Sequence, residues 1–346
     1  MKSRLPQTLI LFLILTVVLN SSCSKVDGMI LDWTNTQDSI IIYSPKLPID
    51  LRKPLLNVRL FGAKGNGTAD DTKAFQTAID LLAANGGGTV MVPAGVYAID
   101  ARVSVQLKSK VDLFMLDTTS VLKAIPNDAT NYVVLMIADA MDVQVRGGKI
   151  LGERTQHLGT KGEWGMGIGV YGSANVRISN MVIADCWGDG IYISDNKAKT
   201  HASAFVGLKN VISRNNRRQG LSIIKASYIL VDSCKFIYTN GTAPQAGIDI
   251  EPNYDTASYI TIRNTECAYN KGSGIQTYEL KTANPTVITN LEIHNNHLHH
   301  NSAWGGRISG GRNINFTENR IYSNALSPMI FAKDTINCVL APNQNE

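Results

Sequence analysis

Residues 260–278 read ITIRNTECAYNKGSGIQTY, and one unit of a repeat lies inside them. Ile260 and Ile262 alternate with polar residues, as a strand with one buried face requires. Asn264 breaks the alternation, Cys267 restores one apolar position, and Asn270 marks a second polar corner. Gly274 then opens another alternating run, Ile275 to Tyr278. Anchoring on Asn264 brings the same unit into register at Gly147, Asn180, Asn210, Ser233, Asn295 and Glu318. The anchors stand 33, 30, 23, 31, 31 and 23 residues apart. An apolar residue lies two and four positions before each of them, as in Val143 and Val145 or Ile314 and Phe316. Three positions after come Ile150, Ile183, Ser213, Phe236, Cys267, Leu298 and Ile321, and six after, Asn recurs at 216, 270, 301 and 324.

Strands of period two separated by Asn and Gly corners cannot each bury a face alone, so successive units must stack. No helical period lies between them, which excludes helix-containing solenoids. The pattern predicts an all-β chain folded as a single-stranded, right-handed parallel β-helix. Cys267 then shares an inward column with Phe236, Leu298 and Ile321 and reads as a core residue. The recurring Asn residues read as a ladder of stacked amides.

A second strand family runs through the same units: GIGVY from Gly167, GIYIS from Gly190, GLSII from Gly220, GIDIE from Gly247 and GIQTY from Gly274. Their second and fourth residues point inward. The third and fifth therefore face outward on one sheet: Gly169 and Tyr171, Tyr192 and Ser194, Ser222 and Ile224, Asp249 and Glu251, Gln276 and Tyr278. Aromatic rings stack on sugars, and amides and acids take hydroxyls, so this face is expected to be a groove for a polysaccharide. Acids are uncommon in strands, which singles out Asp249 and Glu251.

The remainder of the chain bounds the setting. Of 346 residues, 44% are hydrophobic and 18% charged, with a net charge of +5, which describes a folded chain with a sizeable core. No basic stripe interleaved with aromatics occurs, so nucleic acid is not an expected partner. Lys2 and Arg4 precede an apolar run, Leu9 to Leu19, and NSSC ends at Cys23. That reads as an export signal over residues 1–22, with Cys23 as the lipid-bearing residue of a bacterial lipoprotein and plain secretion as the alternative. Contact with a membrane is expected only through that anchor. Residues 23–52 read as a tether and 53–342 as the solenoid domain.

At its start, residues 57–100 hold a short strand (Val58 to Phe61), a glycine-rich turn (GAKGNG) and a helix begun by Asp70 or Asp71. Ala74, Phe75, Ala78, Ile79 and Leu82 make its apolar face, and two strands follow around Pro93-Ala94-Gly95. The string VRLFGAKGNGTADDTKAFQTAID…GGGTVMVPAGVY closely resembles the helix-capped N-terminal segment of the pectate-lyase-like β-helix superfamily. That group includes polygalacturonases, rhamnogalacturonases, phage tailspikes and mannuronan epimerases. The resemblance implies the capped solenoid and carbohydrate chemistry. It does not extend to two families' catalytic sets. WGDGIYI places Asp189 where polygalacturonases carry a catalytic Asp, but the next unit reads RRQGLSI in place of an Asp pair, and their Gly-His-Gly and Arg-Ile-Lys signatures are absent. The epimerases' Asp-Pro-His is missing, and their Asp-Arg-His-Gly is half echoed by Arg217-Arg218-Gln219-Gly220.

Two acids at i and i+2 on a strand place their Cα atoms roughly 6.5–7 Å apart. Side-chain rotation then spans both the about 5–5.5 Å of retaining and the about 6.5–9.5 Å of inverting glycosidases. Asp249 and Glu251 are the candidate catalytic carboxylates, with Asp189, Arg218 and His157 assisting. Tyr192, Trp164, Glu163, Arg217, Gln276, Tyr278 and Tyr171 are candidate substrate-binding residues. His157, Glu163 and Trp164 come from a long insertion, Gly152 to Gly165, which leads into the first groove strand. The expected function is cleavage of glycosidic bonds by a polygalacturonase-like hydrolase, which needs no cofactor. The alternative is a lyase or epimerase on a uronate polymer, whose resemblance implies Ca²⁺ held by Asp249 and Glu251; a non-catalytic glycan-binding surface protein is the third reading. His294, His297, His299 and His300 lack the helical i, i+4 spacing of zinc enzymes and read as surface and turn residues.

Overall fold

The computed structural model describes residues 53–345 apart from 254, 280–286, 332–334 and 341–342. The export signal, the tether and Cys23 lie outside the described residues. Strands stack in parallel, coil upon coil, as the repeat demands. The strands Val105–Leu107, Asn131–Ala138, Trp164–Tyr171, Ile191–Ser194, Leu221–Ile223, Ile248–Ile250, Ile275–Tyr278, Gly306–Ser309 and Met329–Phe331 form one parallel sheet, called the groove sheet below. A larger parallel sheet carries the strands that surround the anchors, for example Thr256–Arg263 beside Ala226–Asp232 and Glu266–Ala268 beside Lys235–Ile237.

The anchor register holds in detail. Ile178, Leu208, Val231, Ile262, Ile293 and Phe316 pair across successive coils and are fully buried. Cys267 pairs with Phe236 and Leu298 and is equally buried. Each such side chain is worth about 1.5–3 kcal/mol relative to exposure, so the columns are the main cohesive element of the stack. The seven anchors share a backbone state: Gly147, Asn180, Asn210, Ser233, Asn264, Asn295 and Glu318 all have positive φ, between 52° and 74°. Asn tolerates this left-handed corner better than most residues, which explains why it recurs there. The amide ladder also forms. Asn270 donates through Nδ2 to Asn301 Oδ1 (3.0 Å), and Asn301 in turn to Asn324 Oδ1 (2.9 Å).

The glycine that opens each groove strand has a steric cause. A Cβ on Gly220 would stand 2.5 Å from the Gly247 carbonyl oxygen, and one on Gly247 2.6 Å from that of Gly274. Consecutive coils approach too closely there for any side chain.

The helix spans Thr72–Ala84 and buries the expected residues, with Phe75 set edge-on to Tyr97 at 5.3 Å. Asp70 caps it by accepting from the Thr72 amide (2.9 Å), while Asp71 turns back to the amides of Lys64 and Gly65. One expectation fails nearby. Val58–Phe61 is a turn of 3-10 helix, not a strand, and the strand precedes it at Leu55–Asn57. Asn57 accepts from the Arg59 amide and Gly62 closes the turn at φ 96°, so local capping overrides the extended preference of the apolar residues.

Candidate active site

On the groove sheet the register aligns Gly169, Tyr192, Ser222, Asp249, Gln276 and Arg307 as one outward column. The column is outward because its flanking residues, such as Ile248 and Ile250, are locked into the core. A neighbouring column holds the residues that precede the opening glycines, among them Asp189 and Gln219, joined through backbone bonds such as Gly190 N–H to the Gln219 carbonyl (3.0 Å).

These two columns build a carboxylate cluster. Asp249 Oδ2 accepts from Gln219 Nε2 (2.6 Å) and Oδ1 from Gln276 Nε2 (3.1 Å). Gln219 cannot turn over, because its Oε1 accepts from the Ala246 amide at 2.7 Å. Asp189 accepts from the Ser222 hydroxyl (2.7 Å) and from Arg218 Nη1 (3.2 and 3.4 Å). Arg218 Nε lies 3.5 Å from Glu163 of the insertion. A single guanidinium is thus surrounded by Asp189, Asp249, Glu163 and Glu251, and although burial opposes its charge, the four carboxylates hold its pKa above the ordinary value.

Three acids of the cluster are raised together. Burial, reinforced by the charge of Glu251, lifts Asp249 to about 7 against the pull of Gln276 and Arg218. Burial lifts Asp189 to about 6, with Arg218 and Ser222 opposing. Burial also raises Glu251, which Arg218 counters, and Glu163 adds to the rise. Carboxyl groups raised toward neutrality in an enclosed cluster suit general acid–base chemistry.

Aromatic residues border the cluster. Tyr171 and Tyr192 lie 5.9 Å apart on adjacent coils, Tyr278 stands one coil beyond Asp249 at the outer edge, and Trp164 is exposed at the start of its strand. Burial raises the Tyr192 hydroxyl to about 12, so it remains protonated.

Three expectations need correcting. His157 does not face the groove. Its side chain is fully buried, its Nδ1 lies 2.9 Å from Glu153 Oε1, and its ring is sandwiched between Tyr132 and Trp187, the latter at 4.0 Å. Tyr132 donates its hydroxyl to the same Glu153 oxygen. Arg217 belongs to this stack rather than to a substrate: its guanidinium lies 3.8 Å over Trp187 and donates to the carbonyls of Gly162 and Trp187. Gln276, in the same outward column as Asp249, spends its amide on that acid and so orients it. Arg154 pins the insertion further along the stack, donating to Asn215 and Asn240.

Gln219 and Ser222 hold the two Asp side chains, and Glu153, Tyr132 and Trp187 enclose His157; none of these five stands out in the sequence on its own. A signal existed for Gln219, which occupies the same pre-glycine position as Asp189.

Calcium does not fit this donor set. It takes six to eight oxygens, whereas both Asp249 oxygens already accept amide N–H groups and a guanidinium stands among the acids. Among the described residues no group of three or more His, Cys, Asp or Glu converges as a metal site. Also among them, no helix is long and apolar enough to cross a membrane.

The model of the right-handed β-helix region matches residues 166–344, just over half of the chain. The chain belongs to the right-handed β-helix family. Among its curated relatives, the uncharacterised protein YclG of Bacillus subtilis is 29% identical over 65% of this chain and 43% of its own length. Mannuronan C5-epimerase AlgE5 of Azotobacter vinelandii is 28% identical over 68% of this chain and 26% of its own length. This β-helix chain therefore spans less than half the length of those relatives. The exopolygalacturonase of Thermotoga maritima superposes with a TM-score of 0.61 over 87% of this chain and 79% of its own, at 16% identity. That likeness is one of fold.

Proposed function

We propose that this β-helix protein hydrolyses a glycosidic bond in a polysaccharide, with Asp249 as general acid and Glu251 as general base. The observation that carries the reading is the enclosed Asp249, poised at about 7 beside a second carboxylate on the outward face of the groove sheet. In the step, Asp249 gives its proton to the departing glycosidic oxygen as the bond from the anomeric carbon breaks. Glu251, whose basicity burial raises while Arg218 favours its charged form, takes a proton from the water whose oxygen bonds to that carbon. Asp189 and Ser222 hold Arg218 and the groove floor in place, and the Tyr171–Tyr192 pair offers aromatic surface to a neighbouring sugar. Relatives and fold neighbours named for mannuronan and polygalacturonan chemistry support a polysaccharide as the partner.

The 28% identity to mannuronan C5-epimerase AlgE5 favours a second reading, proton abstraction from a uronate followed by epimerisation or β-elimination, with Arg218 facing the substrate carboxylate. Export and lipid attachment at Cys23 complete the proposal; Cys23→Ser should release the protein from the membrane fraction. The main test is a panel of glycans assayed for new reducing ends and for the ultraviolet absorbance of an unsaturated sugar. Reducing ends without absorbance, lost in both Asp249→Asn and Glu251→Gln, are expected. Full turnover in both variants would sink the assignment, and binding without any turnover would make the protein a glycan-binding one.

A further inference from the structure

We infer that the sugar held over Asp249 and Glu251 is neutral, so the bond cut here is not that of a uronate. The inference rests on the glycan-cleaving reading of this site and narrows its substrate class. Three cations of these coils are already engaged. Arg218 is shared between Asp189, at 3.2 Å from Nη1, and Glu163, at 3.5 Å from Nε. Arg217, its neighbour in sequence, is turned onto Trp187 and two backbone carbonyls. Lys225, which follows the strand of Ser222, bridges Asp195 (3.6 Å) and Asp255 (2.9 Å).

Against these stand four carboxyl groups around one guanidinium. A uronate placed over Asp249 would bring a fifth, and to reach Arg218, the guanidinium among them, it would have to displace Asp189 or Glu163. Displacing Asp189 would strand a buried anion, which is costly. A neutral sugar meets no such conflict, since its hydroxyls donate to the carboxylates already present. The outward column does hold a cation, Arg307, with its guanidinium 5.3 Å from the Trp304 ring. It lies two coils beyond Asp249, roughly 10 Å along the stack. A carboxylate paired there belongs to another sugar.

The test uses matched pairs that differ only in charge: oligogalacturonate and oligomannuronate, each against its carboxyl-reduced form, alongside a panel of neutral glycans. Binding is read by calorimetry and turnover by reducing ends. Neutral ligands should be bound or cut at least about tenfold better than uronates. Glu163→Gln, which frees one side of Arg218, should narrow that preference by strengthening uronate binding. Reducing-end release from a uronate oligomer, equal to or faster than from its reduced form, overturns the inference while the glycan-cleaving reading stands. Uronate turnover with ultraviolet absorbance overturns it in favour of the second reading. No binding or turnover with any ligand removes the glycan reading and this inference with it.

Discussion

Replacing Asp249 by Asn removes a charge from an enclosed part of the site, and pH sets what that does to stability. In the folded chain Asp249 sits at about 7, lifted from 3.8 chiefly by burial and then by Glu251. Unfolding returns it to the ordinary aspartate range. Between those values the folded protein holds a proton that the unfolded chain has released, so stability falls as pH rises. The contribution is fully present below about 4 and lost as pH passes through about 7. A gap of that width corresponds to on the order of 4 kcal/mol. An amide does not ionise, so Asp249→Asn should match the wild type near pH 4 and exceed it at pH 8 by up to that amount. The new amide fits, because Gln276 can turn its own carbonyl toward it while Gln219 stays fixed by Ala246. Urea denaturation across this pH range, followed by circular dichroism, measures the difference. Activity should fall by about a hundredfold or more, as expected on losing a general acid. A stability difference that is the same at both ends of the range would refute the reasoning, as would a variant less stable than wild type at pH 8.

Three further outcomes follow from the packing. Asn301→Ala removes a rung that bonds Asn270, Asn324 and the Cys267 carbonyl; orphaning those groups should cost at least about 2 kcal/mol in denaturation experiments. His157→Ala empties the space between Tyr132 and Trp187 and loosens the insertion, so trypsin should cut after Lys161 markedly faster than in the wild type. Prolonged treatment with a calcium chelator should leave turnover and melting temperature unchanged, since both Asp249 oxygens accept amides and Arg218 engages Asp189 and Glu163; a loss restored by added calcium would contradict that.

The repeat made the fold legible because inward columns and left-handed corners both leave chemical traces. Ile178 through Phe316 must be apolar, and residues such as Asn180 and Asn264 suit a corner of positive φ. The same period fixed the face of Asp249, since its neighbours Ile248 and Ile250 had nowhere to point but in. The 3-10 turn at Val58–Phe61 is not legible in the sequence, because four residues carry too little period to outweigh one capping Asn. The burial of His157 is hidden for a different reason. A repeat register says nothing about where an insertion folds, and the burial of this ring depends on Trp187 and Tyr132, which are distant in sequence and share no motif with it. Gln219 and Ser222 were visible as positions yet not as roles, because neutral residues announce themselves only by the acid they hold.

The coil stack imposes a lattice on whatever chemistry the groove carries. A residue can be moved one coil along, changing a separation by about 4.8 Å, or two positions along a strand, changing it by about 6.5–7 Å. Those steps straddle the distances that divide retaining from inverting cleavage. The backbone spacing of two acids on such a scaffold is therefore a discrete variable, open to exchange by point substitutions at fixed lattice sites such as Ser222 and Asp249, with side-chain rotation setting the carboxyl distance within each step.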